Sequence, residues 1–197
     1  SGDINKYDKE LAAGNAPGQV DEPSDGYGVG GTEQKFALLK PTSRVEPALP
    51  FDKAKGLLPL PIAGKRILNF GQETKLGSKS KGIAIRARTQ AQVTSPCDGW
   101  IVFAREFRSY GQLLIINAGG GYHVLLAGMA EINVTEGQFV LSGEPIGRMG
   151  APGGPSAGDK TREANTGAPV LYVEFRNKER AFNPDPWWGE GSDKVQG

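Results

Sequence analysis

The stretch IINAGGGYHVLLAGM, Ile115 to Met129, decides the fold. Two apolar runs flank Gly119, Gly120 and Gly121, and the second run carries His123, the only histidine in the chain. Two β-prone runs joined by glycines that tolerate positive φ read as a hairpin. Outward from it in both directions the pattern repeats. KRILNF, GIAIRARTQAQVTSP, GWIVFAREF and QLLIINA lie on the N-terminal side; YHVLLAGM, INVTEGQFV, EPIGRMG and APVLYVEFR lie on the C-terminal side. These short runs are separated by turn signals, and several alternate apolar with polar residues. From Gly56 onward they predict a mainly β domain of about 130 residues, with helix scarce. The 29 glycines and 14 prolines agree with many turns.

Composition narrows the function classes. With 38% hydrophobic residues, part of the 197-residue chain can bury a core. The net charge of +1 gives no global attraction to nucleic acid or anionic lipid. No apolar run approaches the ~20 residues that span a bilayer. No signal peptide is visible, and the opening Ser1-Gly2 without a methionine reads as a piece of a longer protein. A single cysteine, Cys97, allows no internal disulfide and no cysteine-rich zinc site. Its context SPCDG reads as a small packed residue at a strand end.

Residues 1–34 hold seven acidic and two basic side chains and little that could order them. The following FALLKPTSRVEPALPF, with Pro41, Pro47 and Pro50, favours an extended strap. Residues 1–50 are therefore expected to be an extended or flexible N-terminal segment, a tether or a regulatory strap. The domain proper is expected over 51–190 and a tail over 191–197. One interruption, APGGPSAGDKTREANTGA (151–168), lacks periodicity and reads as a long loop. Gly153 and Gly158 in it have the spacing of a phosphate-binding loop. Asp159 stands where that loop needs lysine, and no helix pattern follows, so nucleotide binding is not expected.

Taken together, LPLPIAGKRILNFG, SKGIAI, VTSPCDGWIVFA, YGQLLIINAGGGYHVLLAGM, VTEGQFVLSGEPIGRMG, APVLYVEFR and NPDPWW resemble the LytM-type domain of lysostaphin-like zinc endopeptidases. The resemblance covers Leu57 to Trp188. It implies an antiparallel β-sheet or sandwich-like domain with a central groove. Catalytic members bind zinc through the His and Asp of H-x-G-x-D and the second His of H-x-H, with a further His in a Y-A-H-like motif. Here those motifs read Ser80-Lys81-Gly82-Ile83-Ala84, Val170-Leu171-Tyr172 and Leu126-Ala127-Gly128, and a histidine often found before the hairpin glycines is Ala118. Ser80, Ala84, Gly128, Val170 and Tyr172 do not make a catalytic zinc site, which needs about three protein ligands and an open position. No catalytic residue, metal or cofactor is expected.

The details YGQLLIINAGGGYH, LYVEFR and FNPDPWW resemble the EnvC-type murein hydrolase activators. That resemblance implies a non-enzymatic periplasmic protein. It implies that the vacated groove binds the inhibitory element of a peptidoglycan N-acetylmuramoyl-L-alanine amidase during cell separation. Division machinery would be reached through regions outside this chain. A peptidoglycan-binding module, or a scaffold for another cell-wall enzyme, is the alternative. The expected partner-binding groove comprises Lys81, Ala84, Arg86, Tyr110, Leu126, Gly128, Tyr172, Glu174 and Arg176. Side-chain alternation puts Leu171 and Val173 in the core and exposes Tyr172, Glu174 and Arg176 to the groove. Tyr172→Ala and Arg176→Ala are accordingly expected to abolish activation and leave the fold intact. Tyr110 reads either as a groove contact or as a turn aromatic capping the sheet. His123 reads as a satisfied hairpin histidine, and Trp187 and Trp188 as anchors of the C-terminal end.

Overall fold

A computed structural model describes residues 46–151 and 167–190. Most of the expected N-terminal segment, the loop over 152–166 and the tail from 191 lie outside the described residues. The strands are β1 (Gly64–Leu68), β2 (Ile83–Ala87), β3 (Gln92–Thr94), β4 (Gly99–Phe107), β5 (Gly111–Gly119) and β6 (Tyr122–Met129). They continue with β7 (Glu131–Ile132), β8 (Phe139–Val140), β9 (Pro145–Arg148), β10 (Val170–Asn177) and β11 (Arg180–Phe182). Helix among the described residues is limited to short 3-10 turns, as the glycine and proline content predicts.

The large sheet runs β1-β2-β10-β6-β5-β4-β8, with β11 paired to the second half of β10. A smaller sheet runs β3-β9-β7. Every pairing between these strands is antiparallel. The opening stretch is the β5–β6 hairpin, and Gly119, Gly120 and Gly121 take φ of 82°, 62° and 84°, where a side chain would be strained. The run GIAIRARTQAQVTSP, read as one strand, is two. The chain leaves β2 of the large sheet, passes Gln90 at φ 58°, and enters β3 of the small one.

The core lies on one face of the large sheet. Ile83 and Ile85 of β2, Val124 and Leu126 of β6, Leu114 and Ile116 of β5, and Leu171, Val173 and Phe175 of β10 point into it. The small sheet contributes Val93 and Ile146. Phe175 is the hub of an aromatic cluster with Phe51, Phe182, Trp187 and Trp188. Trp187 Nε1 donates to the Phe51 carbonyl at 2.8 Å, so the expected C-terminal anchor also fastens the start of the domain. Removing a ring of this kind from a core costs ~3–5 kcal/mol. Upstream, Asp98 accepts from the Ala48 amide at 2.9 Å and from the Ser142 amide at 2.8 Å, joining the strap to the β8–β9 turn.

Candidate functional site

The other face of the large sheet carries the residues singled out from the motifs. Register makes the arrangement explicit, because directly paired residues of antiparallel strands share a face. One row crosses the sheet as Ala84–Tyr172–Ala127–Leu113. The next runs Glu174–Leu125–Ile115–Phe103, and a third runs Arg176–His123–Asn117. Arg86 pairs with Val170 one step beyond Ala84. The 3-10 turn at Arg108–Tyr110, between β4 and β5, puts Tyr110 against this face, its ring 6.3 Å from that of Tyr172. Phe103, Tyr110, Leu113, Ile115, Leu125, Ala127 and Tyr172 form a second buried apolar cluster, separate from the core.

Alternation along β10 therefore holds, but exposure does not. Tyr172 is 4%, Glu174 0% and Arg176 7% accessible. The three satisfy one another along the strand: the Tyr172 hydroxyl donates to Glu174 Oε1 at 2.7 Å, and Arg176 Nε donates to Glu174 Oε2 at 2.5 Å. A buried carboxylate with no partner is very costly, so Glu174 depends on both neighbours. Burial first, then the Glu174 charge and hydrogen bond, push the Tyr172 phenol well above its ordinary range, so it stays a neutral donor.

Leu126 is corrected by the register. It is fully buried in the core beside Val124, and the cluster on the site face takes Leu125 and Ala127. Gly128 is a backbone feature rather than a lining residue: at φ 105° it is the extra residue where the pairing steps from Gln112–Met129 to Leu113–Ala127. That bulge turns Met129 back to the core. Ala84 is buried on the site face. Lys81 is exposed on the approach to β2, and Arg86 is half-buried with its Nε lacking a hydrogen-bond partner.

His123 is a hairpin histidine as expected, but one of its ring nitrogens lacks a hydrogen-bond partner. It sits in β6, 5% accessible, with Nδ1 unpartnered, opposite Arg176. Burial chiefly, with the nearby Arg176 charge adding to it against a raising contribution from the Gly121 backbone, lowers its pKa. Gly82 is the other close fit. A Cβ there would lie 2.3 Å from the Val173 carbonyl and 2.9 Å from the Tyr172 phenol, so the glycine makes room for that ring. Cys97 is buried just before β4, its thiol pushed far up by burial and by Asp98, as expected of a packed residue.

Among the described residues no group of three or more His, Cys, Asp or Glu side chains is placed to hold a metal ion. Nor is any helix long and apolar enough to cross a membrane.

This mainly antiparallel β architecture is the LytM-type fold. A putative M23 peptidase from Pseudomonas aeruginosa of solved structure superposes with a TM-score of 0.55 at 19% identity, over 74% of this chain and 55% of that one. The chain belongs to peptidase family M23, whose pattern matches residues 78–184. Murein hydrolase activator EnvC of Escherichia coli (strain K12) is 29% identical over 129 residues, which is 66% of this chain and 28% of the relative. Murein hydrolase activator NlpD of Salmonella dublin is 31% identical over 125 residues, 63% of this chain and 29% of the relative. The chain thus spans under a third of the length of these two relatives.

Proposed function

We propose that the chain is a non-catalytic activator of peptidoglycan N-acetylmuramoyl-L-alanine amidases. It works in the periplasm during cell separation and takes up the amidase's inhibitory element on the face around Tyr172. The observation that carries this reading is the Tyr172–Glu174–Arg176 set on β10, at the position of the family's H-x-H. The side chains at the ligand positions do not fit zinc. Ala84, Gly128 and Val170 have no lone pair to donate. The Ser80 hydroxyl is bonded to the Gly82 carbonyl at 2.8 Å, and the Tyr172 phenol is committed to Glu174. His123 alone could offer one imidazole, against the roughly three ligands a catalytic site uses. The likeness to two proteins named murein hydrolase activators supports a role through a partner enzyme.

The apolar cluster around Tyr172 is inaccessible in the free chain, so an amphipathic segment reaches it only by displacing what covers it. Activation is then a population shift: the chain stabilises the open amidase by the difference in its affinity for the two states. The test is release of dye from labelled sacculi by a periplasmic amidase of the same organism, with and without the chain, alongside the chain alone. Release only when both are present is expected. Release by the chain alone would overturn the non-catalytic reading. Binding to sacculi without stimulation would move the function to the wall polymer.

A further inference from the structure

The net charge of +1 conceals a concentrated basic element. From Gly64 to Arg88, the β1–β2 unit holds seven basic residues and one acidic residue, Glu73, a net of +6. It forms the edge of the large sheet. Lys65, Lys75, Lys79, Lys81 and Arg88 are all exposed.

The connection between the two strands is a built projection. The Gly71 amide donates to the Ser80 carbonyl at 2.8 Å, and the Ser80 amide returns a bond to Gln72 at 2.8 Å. The Thr74 amide donates to Ser78 at 2.7 Å, and Gly77, at φ 78°, closes the tip by donating to Thr74 at 2.9 Å. The two side-chain hydroxyls of Thr74 and Ser78 also meet, at 3.0 Å. At the apex stands Leu76, 92% accessible, between Lys75 and Lys79. The tip is therefore held in shape by its own hydrogen bonds while presenting an aliphatic side chain to water.

We propose that this hairpin docks on an anionic lipid surface, with Leu76 entering the headgroup boundary and the lysines pairing with lipid phosphates. The exposed aliphatic apex chooses lipid over an anionic glycan. A carboxylate-bearing polymer would be held by the cations and by hydrogen-bond donors, and gains nothing from an aliphatic apex. A bilayer interface rewards both, since apolar insertion and attraction of basic residues to anionic headgroups add. The contact is weak by construction, one apolar side chain and a few charges, so it tunes where the chain sits and does not anchor it irreversibly.

The experiment is cosedimentation of the 197-residue chain with phosphatidylcholine vesicles and with vesicles of equimolar phosphatidylcholine and phosphatidylglycerol, alongside isolated sacculi. Binding to the anionic vesicles only, weakening with added salt, is expected. Each Lys→Gln change at Lys75 or Lys79 should weaken it about 5-fold, and Leu76→Ser about tenfold. These positions are exposed, so an unchanged circular dichroism spectrum confirms that folding is not the cause. Equal binding to both vesicle types, no vesicle binding, or Leu76→Ser binding as tightly as the parent chain would overturn the proposal. Lysine-dependent binding to sacculi without vesicle binding would also overturn it, because the anion would then be a wall polymer.

Discussion

Replacing Arg176 by methionine keeps much of the side-chain bulk and removes the cation from beside Glu174. The carboxylate of Glu174, fully inaccessible, would retain only the Tyr172 hydroxyl among the two partners described. Breaking a buried ion pair from one side costs ~3–5 kcal/mol, because a charge is left without compensation. At about 4 °C per kcal/mol for a domain of this size, Arg176→Met should lower the melting temperature by roughly 12–20 °C. The double variant Glu174→Gln/Arg176→Met should recover most of that loss. It buries no charge, and the glutamine carbonyl can still accept from Tyr172. Double substitutions of this kind are often close to neutral, so a residual loss of about 1–2 kcal/mol is expected for the unpaired amide group.

Urea titration followed by tryptophan fluorescence is suitable, because Trp187 and Trp188 are packed in the core. Contacts that Arg176 makes elsewhere are lost in both methionine variants and cancel from their comparison. The reasoning fails if Arg176→Met costs less than about 1 kcal/mol, or if adding Glu174→Gln to it restores nothing. The burial also changes what an alanine scan reads. Lost activation in Arg176→Ala would report folding as well as contact, so the contact test belongs at Lys81, which is exposed.

Two further outcomes follow from the same face. The pKa of His123 is lowered in the folded chain, so the unfolded chain binds more protons in the acid range; its contribution to stability is complete above about pH 6.5 and is lost as pH falls towards the folded value. Denaturation midpoints from neutral pH down to about pH 5 should therefore fall more steeply for the parent chain than for His123→Gln, and parallel slopes would show that the imidazole is solvated. Gly82→Ala would place a Cβ against the Val173 carbonyl and the Tyr172 ring, so it should destabilise by ~1–3 kcal/mol and shift the Tyr172 resonances in an NMR spectrum; unchanged stability would mean that the ring is not held there.

The fold was legible because its signals are local. Hairpin glycines, short β-prone runs and the paired tryptophans each specify one step of the chain, whereas the splitting of GIAIRARTQAQVTSP and INVTEGQFV between two sheets depends on pairing far along the chain. The site was legible only where a strand alternates. In LYVEFR, polar and apolar residues take turns, which phases Tyr172, Glu174 and Arg176 onto one face without reference to anything else. In LLII and VLLA both faces are apolar, so composition cannot say which residue faces where. Leu126 was misplaced for that reason, and Phe103, Leu113, Ile115, Leu125 and Ala127 were missed. Pairing with β10 resolves the phase, and pairing is a long-range property. The nearest sequence signal is Gly128, whose bulge sets where alternation in β6 restarts.

Exposure was misjudged for a related reason, and the physics of β10 explains why it could still be buried. Residues two apart on a strand are separated by roughly 6.6 Å, a span that long side chains such as Glu and Arg bridge directly. Tyr172 and Arg176 thus both reach the Glu174 carboxylate from the same strand. The acceptor charge of Glu174 and the cation that balances it come from the same six-residue run, LYVEFR. On this face the Glu174 carboxylate is compensated, while Arg86 Nε and His123 Nδ1 are buried without a hydrogen-bond partner. A partner that met this face would therefore strand no charge at Glu174. The shared carboxylate makes the set sensitive to removal of any one member. Loss of activation at these positions therefore carries weight only where the stability of the variant has been measured beside it.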